Sequence, residues 1–274
     1  MVDLNSSDVL IPAFLAAYTG KNPKSVGLTA FPSLLKLLPK WNITYDGLMQ
    51  IPLINKHFKV FNLDHQYSSI YSVGAYNSYM NWVTANGSEG IGFAQNVMSN
   101  NPFPSSPYDI TTVSINEVFS PLFGITSTLQ NNLSIKLQYN RTRNINLNVS
   151  SYQVTEMIKN DFTFGTGYRF DNFNKILKIK KTGGANFNNE LKVDAAISYS
   201  KTLSLIRKIE DNFTQAIGGN ANTMIKLTAD YRMSSMITLT AFFDKQINNP
   251  LVSSNAYPLS KSNFGISVRV DLAR

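Results

Sequence analysis

The chain has 274 residues, 43% of them hydrophobic and only 15% charged, with 25 Lys and Arg against 17 Asp and Glu and no cysteine. A soluble globular domain carries about 25% charged residues, and here Asn, Ser and Thr fill the deficit. This mixture excludes a disulfide framework and a thiolate metal centre, and it argues against both disorder and a helical soluble enzyme. The formal charge of +8 is not gathered on one face: its one dense cluster is Lys175, Lys178, Lys180 and Lys181, too little for a nucleic-acid surface.

In chain order, residues 1–39 read as a helix and loop segment. The apolar run Val9–Tyr18 is broken by Pro12 and is far shorter than the ~18 residues of a membrane-crossing helix. Ser6 or Ser7 caps a helix expected through Ala17, with Gly20 as its stop. The start lacks the basic region and cleavage site of a signal peptide, so an exported protein would be represented here by a fragment.

Residues 40–274 read as strands. After a weak one at Trp41–Tyr45, Phe61, Leu63, His65, Tyr67, Tyr71 and Val73 share one face, against Asn62, Asp64, Gln66, Ser68 and Ser72. From Leu133 to Val149, seven of nine odd positions are apolar and none of the eight even ones is. That is a period of two, the mark of a strand with one apolar and one polar face. The pattern returns at Phe162–Phe170, Leu191–Leu205, Ile225–Tyr231, Ile237–Phe243 and Phe264–Leu272. Seventeen residues extend for roughly 56 Å, whereas soluble strands mostly have about 5–6 residues and membrane strands need ~9–11. The expected fold is all-β: about eight or nine long strands of an antiparallel transmembrane β-barrel segment, the C-terminal part of a larger barrel.

Connections in bacterial barrels alternate between short inner turns and long outer loops. Asn248–Ser262, Ile206–Ala221, Ser151–Asn160 and Gly74–Pro107 are read as outer loops, and Met233–Ser235 and Gln130–Asn132 as inner turns. The long basic Asp171–Asn188 connection breaks the alternation.

Two sets of residues follow from the pattern. Asp64, Gln66, Lys136, Gln138, Asn140, Asp194, Thr228 and Asp230 are expected to face a hydrated lumen. Tyr67, Tyr71, Tyr139, Phe164, Tyr168, Tyr199, Tyr231 and Phe264 are expected at the membrane interfaces, as in the aromatic girdles of barrels. Arg141 and Arg143 fall on the apolar face and leave three readings open: a membrane boundary, a partner contact or a local turn. Gly165 and Gly167 stand in a strand rather than a phosphate loop, and are expected to relieve strand curvature or crowding on the lumen face. His57 and His65 lack the spacing of a metal pair, and no G-x-S-x-G is present, so no catalytic, cofactor or metal site is expected.

The chain resembles the C-terminal region of the SprA/Sov family, the outer-membrane translocons of the Bacteroidetes type IX secretion system. The matching segments are colinear: Asp8–Gly20, Asn42–Leu48, Ile51–Lys59, Tyr71–Tyr76, Glu117–Ile125, Gln153–Glu156, Gly165–Phe170, Asn249–Pro258 and Gly265–Leu272. The resemblance implies a passive conduit for folded cargo that carries C-terminal sorting domains, gliding adhesins included. It also implies a PorV-like shuttle barrel and a periplasmic plug as partners, and no enzymatic activity. Asn263, Gly265, Val268 and Val270 occupy the places of a barrel assembly signal, with Val at both aromatic places. Two alternatives stand beside it: the end of another outer-membrane barrel, such as a TonB-dependent receptor or porin, and a soluble β-rich binding module. An outer-membrane hydrolase is a more distant one.

Overall fold

The computed structural model describes residues 6–20, 40–85, 92–96, 98–171, 173, 190–234, 236–252 and 257–271. Helix α1 (Ser7–Thr19) is followed by β1 (Lys40–Tyr45), a 3-10 turn (Gly47–Gln50) and the short helix α2 (Pro52–His57). Then come β2 (Phe58–Ser78), β3 (Val83–Thr84), β4 (Gly92–Gln95), β5 (Pro102–Ser105) and β6 (Tyr108–Leu129). The remaining strands are β7 (Leu133–Asn148), β8 (Gln153–Phe170), β9 (Glu190–Lys208), β10 (Phe213–Arg232), β11 (Ile237–Pro250) and β12 (Leu259–Val270).

Nine strands form one antiparallel sheet in the order β1-β2-β6-β7-β8-β9-β10-β11-β12, a meander in which chain neighbours are sheet neighbours. The small strands β3, β4 and β5 make a separate sheet within the chain connection from β2 to β6. Among the described residues the large sheet is open: β1 pairs only with β2, and β12 only with β11. No helix among them is long and apolar enough to cross a membrane. Alternation sets the strands, and where it fails the ladder bulges. In β6 the register slips between Phe119 and Phe123, around Pro121, whose ring nitrogen cannot donate to a ladder.

Three expected connections are corrected. Ile206–Ala221 is no long loop, since β9 and β10 extend through it to a turn at 209–212. Ser151–Asn160 likewise shrinks to the turn at 149–152. β2 runs to Ser78, so the Gly74–Pro107 connection starts later and carries the small sheet. Most of Asp171–Asn188, with its lysine cluster, lies outside the described residues. Short turns therefore occur at both ends of the sheet, and loop length does not distinguish the two sides.

Helix α1 forms where expected, two residues longer. Gly20 closes it in the left-handed region (φ 66°), its N–H reaching the Ala16 carbonyl, while Ser6 makes no side-chain cap. Ile11 and Leu15 then pack onto Tyr71, Ile110, Val113, Ile115, Leu147 and Val149 at the 149–152 end of the sheet. Each fully buried aliphatic side chain contributes roughly 1.5–3 kcal/mol. Helix α1 thus covers one end of the apolar face.

Candidate functional site, a sheet with two unlike faces

Register carries the alternation of single strands across the whole sheet. Lys136, Gly165, Ala196, Lys226, Asp244 and Asn263 form one row on the polar face. Ile135, Thr166, Ala195, Leu227, Phe243 and Phe264 form one row on the other. All eight residues expected at a lumen lie on the polar face. There Thr44 Oγ1 donates to Asp64 (3.1 Å), Lys192 Nζ pairs with Asp194 (2.8 Å) and Thr240 Oγ1 donates to Asp230 (2.5 Å). Gly167 belongs to this face, and a Cβ there would meet Asp194 Oδ1 at 2.5 Å and Ser134 Oγ at 2.8 Å. A Cβ on Gly165 would meet nothing closer than 3.9 Å, so the crowding expected there is absent.

The apolar face divides in two. Its upper part lies under α1; its lower part is a band with no cover among the described residues, where Leu227 is 45% exposed and Ile266 73%. Nearly every strand enters this band through an aromatic side chain. From β1 to β12 these are Trp41, Tyr67, Phe119, Tyr139, Phe162, Tyr199, Phe243 and Phe264, with Ile225 the exception on β10. The next residue upward on the same face is polar: Ser69, Glu117, Arg141, Asn160, Lys201, Thr223, Lys245 and Ser262 on β2 and β6–β12. Tyr168, Phe170 and Tyr231 mark the lower edge, with the Tyr168 and Phe170 rings 4.4 Å apart.

This upper border crosses the register at a slant. Glu117 opposes Arg143, one step above Arg141; Arg141, Asn160 and Lys201 share a row; Thr223 lies opposite Tyr199, a step below Lys201; Lys245 and Ser262 lie a further step down. From β6 to β12 the border falls by about six residues over six strand spacings, ~20 Å against ~29 Å, a slope of ~35°. Bacterial barrels tilt their strands ~35–45° to the membrane normal. The band runs for about six to eight residues along each strand, roughly 20–26 Å, or ~16–21 Å once tilted. A barrel's apolar belt measures ~25 Å, and the bacterial outer membrane is thinner than average.

Of the expected girdle residues, Tyr67, Tyr139, Tyr199 and Phe264 lie on the upper line, and Tyr168 and Tyr231 at the lower edge. Phe164 is one step inside the band. Tyr71 does not share their position: it lies above the line, buried beneath α1. Burial also holds Tyr67, wedged between Trp41 and Phe119 at 4.5 and 4.6 Å. Phe162, read from sequence as an aromatic of the apolar face, completes the line together with Trp41, Phe119 and Phe243, which were not singled out from sequence. Except for β6, their strands could be read locally, but their common border needs the register. His65 packs inside the band beside Trp41, its Nδ1–H donating to the Leu122 carbonyl that the bulge frees (2.6 Å). Gly265, of the assembly-signal positions, lies under the Phe242 ring, while Val268 and Val270 face outward from β12.

Arg143 is explained by a charge cluster above the line. Its Nε donates to Glu156 (2.7 Å) and its Nη1 lies 3.7 Å from Glu117, while Arg207 Nη2 donates to Glu156 from the other side (2.6 Å). Glu156 is buried, so the two guanidinium groups satisfy a carboxylate that would otherwise be costly. Tyr67 donates to Glu117 (3.0 Å), and the Tyr18 hydroxyl lies 3.2 Å from Ser69 Oγ, tying the end of α1 to β2. Burial at this junction pushes the Tyr18 hydroxyl far above an ordinary phenol, against the weaker downward pull of Ser69. A groove of about 370 Å³ runs beside α1 over these charges. Arg141, one step down, stays exposed at the border. Among the described residues no three His, Asp or Glu side chains are placed to hold a metal.

No protein-family model matches the chain, and no curated protein matches it.

Proposed function

We propose that this chain is a stretch of β-barrel wall in an outer membrane: lipid lies against the aromatic-bordered band, and water against the polar face. The observation that carries this reading is the slanted border. A two-layer soluble sandwich has no need of one plane, crossing the seven strands β6 to β12 at ~35°, at which apolar, aromatic and polar side chains succeed one another. The open edges of β1 and β12 favour a wall that continues into further strands, since in hydrocarbon every backbone group needs a partner.

Within that class the particular reading is the type IX secretion translocon, supported by the colinear segments from Asp8 to Leu272. The wall then lines a passage for folded cargo with C-terminal sorting domains, a PorV-like shuttle and a periplasmic plug being its partners. The polar face carries short hydroxyls, amides and paired charges, a hydrated surface along which a folded protein slides without adhering. Replacing Gln138, Asn140, Asp194 and Thr228 together by Leu tests this. Secretion of a sorting-domain cargo is expected to fall severalfold with the barrel's membrane level unchanged; undiminished secretion would refute the conduit.

A further inference from the structure

We propose that Arg141, Lys201 and Lys245 form a basic collar that binds the phosphate-bearing headgroups of anionic membrane lipid. The proposal rests on the membrane-wall reading. Each residue is the first polar one above the aromatic line, and they recur on alternate strands, β7, β9 and β11. Asn160, Thr223 and Ser262 hold the same place on β8, β10 and β12, so cation and neutral hydrogen-bonding group alternate along the border.

The contrast with other cations of the same face makes the collar specific. Arg143 and Arg207, higher up, are neutralised by Glu117 and Glu156. Arg141, Lys201 and Lys245 have no ion-pair partner among the described residues, and the border from β7 to β12 contains no carboxylate. Alternate strands stand ~9.6 Å apart, so the three charges are separate posts rather than one chelating site. Their aliphatic stems can lie along the neighbouring Tyr139, Tyr199 and Phe243 while the charged ends reach the headgroup layer. Phosphate is the complementary group at that depth, a strong acceptor carrying charge that guanidinium and ammonium both bind. Zwitterionic headgroups offset their own phosphate and gain less.

The absence of native cysteine makes a local probe clean. Phe162→Cys, on β8 between the Arg141 and Lys201 strands, is labelled with bimane and the full chain placed in phosphatidylcholine vesicles. Acyl-chain nitroxides on phosphatidylglycerol or on phosphatidylcholine then report which lipid collects there. The expected result is quenching by labelled phosphatidylglycerol at least about threefold above its mole fraction, since basic residues near an anionic surface attract its lipids. That excess should vanish in the Arg141→Gln, Lys201→Gln, Lys245→Gln variant, while phosphatidylcholine quenching stays as it was, showing that the variant still inserts. Equal quenching by the two lipids in the parent chain, or an excess that survives in the variant, overturns the collar and leaves the membrane reading standing. Quenching by neither lipid overturns the membrane reading and the collar with it.

Discussion

One face of one sheet meets two different fates. At its upper end Ile110, Val113, Ile115 and Leu147 are at most 1% exposed, because α1 lies over them. Below the charged border Ile197, Leu227 and Val268 are equally apolar, on the same face and in the same register system, yet 43–61% exposed. Strand alternation cannot make this difference, since it is identical in both regions. The chain supplies a cover for the first region, and the proposed membrane supplies it for the second. A contiguous exposed apolar surface of this kind marks a site of interaction.

Core and lipid-facing side chains respond differently to truncation, which offers the sharpest way to break the comparison. Leu147→Ala opens a cavity between α1 and the sheet and is expected to cost ~2–4 kcal/mol, measured by urea unfolding in lipid vesicles. Ile197→Ala removes as much apolar surface in the band, but lipid tails fill the space, and the cost should stay under about 1 kcal/mol. Equal costs would mean that the two regions are packed alike. The border between them is expected to be weaker. Glu156→Gln leaves Arg143 and Arg207 short of one charge, but those side chains are 34% and 51% exposed and water takes up much of the loss. About 1–2 kcal/mol is expected in the same assay.

The smallest effect concerns the cover alone. Tyr18 is held neutral in the docked helix, so its folded pKa lies above the free value of ~10. Its contribution to docking is complete below that free value and is lost as pH rises beyond it, because the undocked phenol ionises first. A nitroxide at Ala17→Cys should gain mobility as the pH rises above about 10, and the gain should be absent in Tyr18→Phe. Mobility that changes identically in both would remove Tyr18 from the helix anchor.

Much of the fold was legible because a single chemical rule, alternation, governs most of the chain. It failed where tertiary partners override it. Glu156 on the apolar face made Ser151–Asn160 resemble a loop, yet two arginines from β7 and β9 hold it inside a strand. Gly218 and Gly219 likewise suggested a loop, whereas β10 passes through them with a bulge after Ala216. Pro121 hid the pattern of β6, a strand that connectivity required but local sequence did not display. The docking of α1 on Tyr71 joins positions far apart in the chain, so Tyr71 was indistinguishable from a girdle tyrosine. The aromatic line itself depends on how eight strands are offset, a property of the sheet that no single strand contains.

The central claim is that the band faces lipid and the opposite face water. Its most direct test is a set of single cysteines placed at Ile197, Leu227 and Ile266 on one face and at Ser198, Thr228 and Ser267 on the other. The chain is reconstituted in vesicles and exposed to a membrane-impermeant maleimide. The account predicts rapid labelling at Ser198, Thr228 and Ser267, and little at Ile197, Leu227 and Ile266 until the vesicles are dissolved and the chain unfolded. Equally fast labelling of both sets in intact vesicles would contradict it.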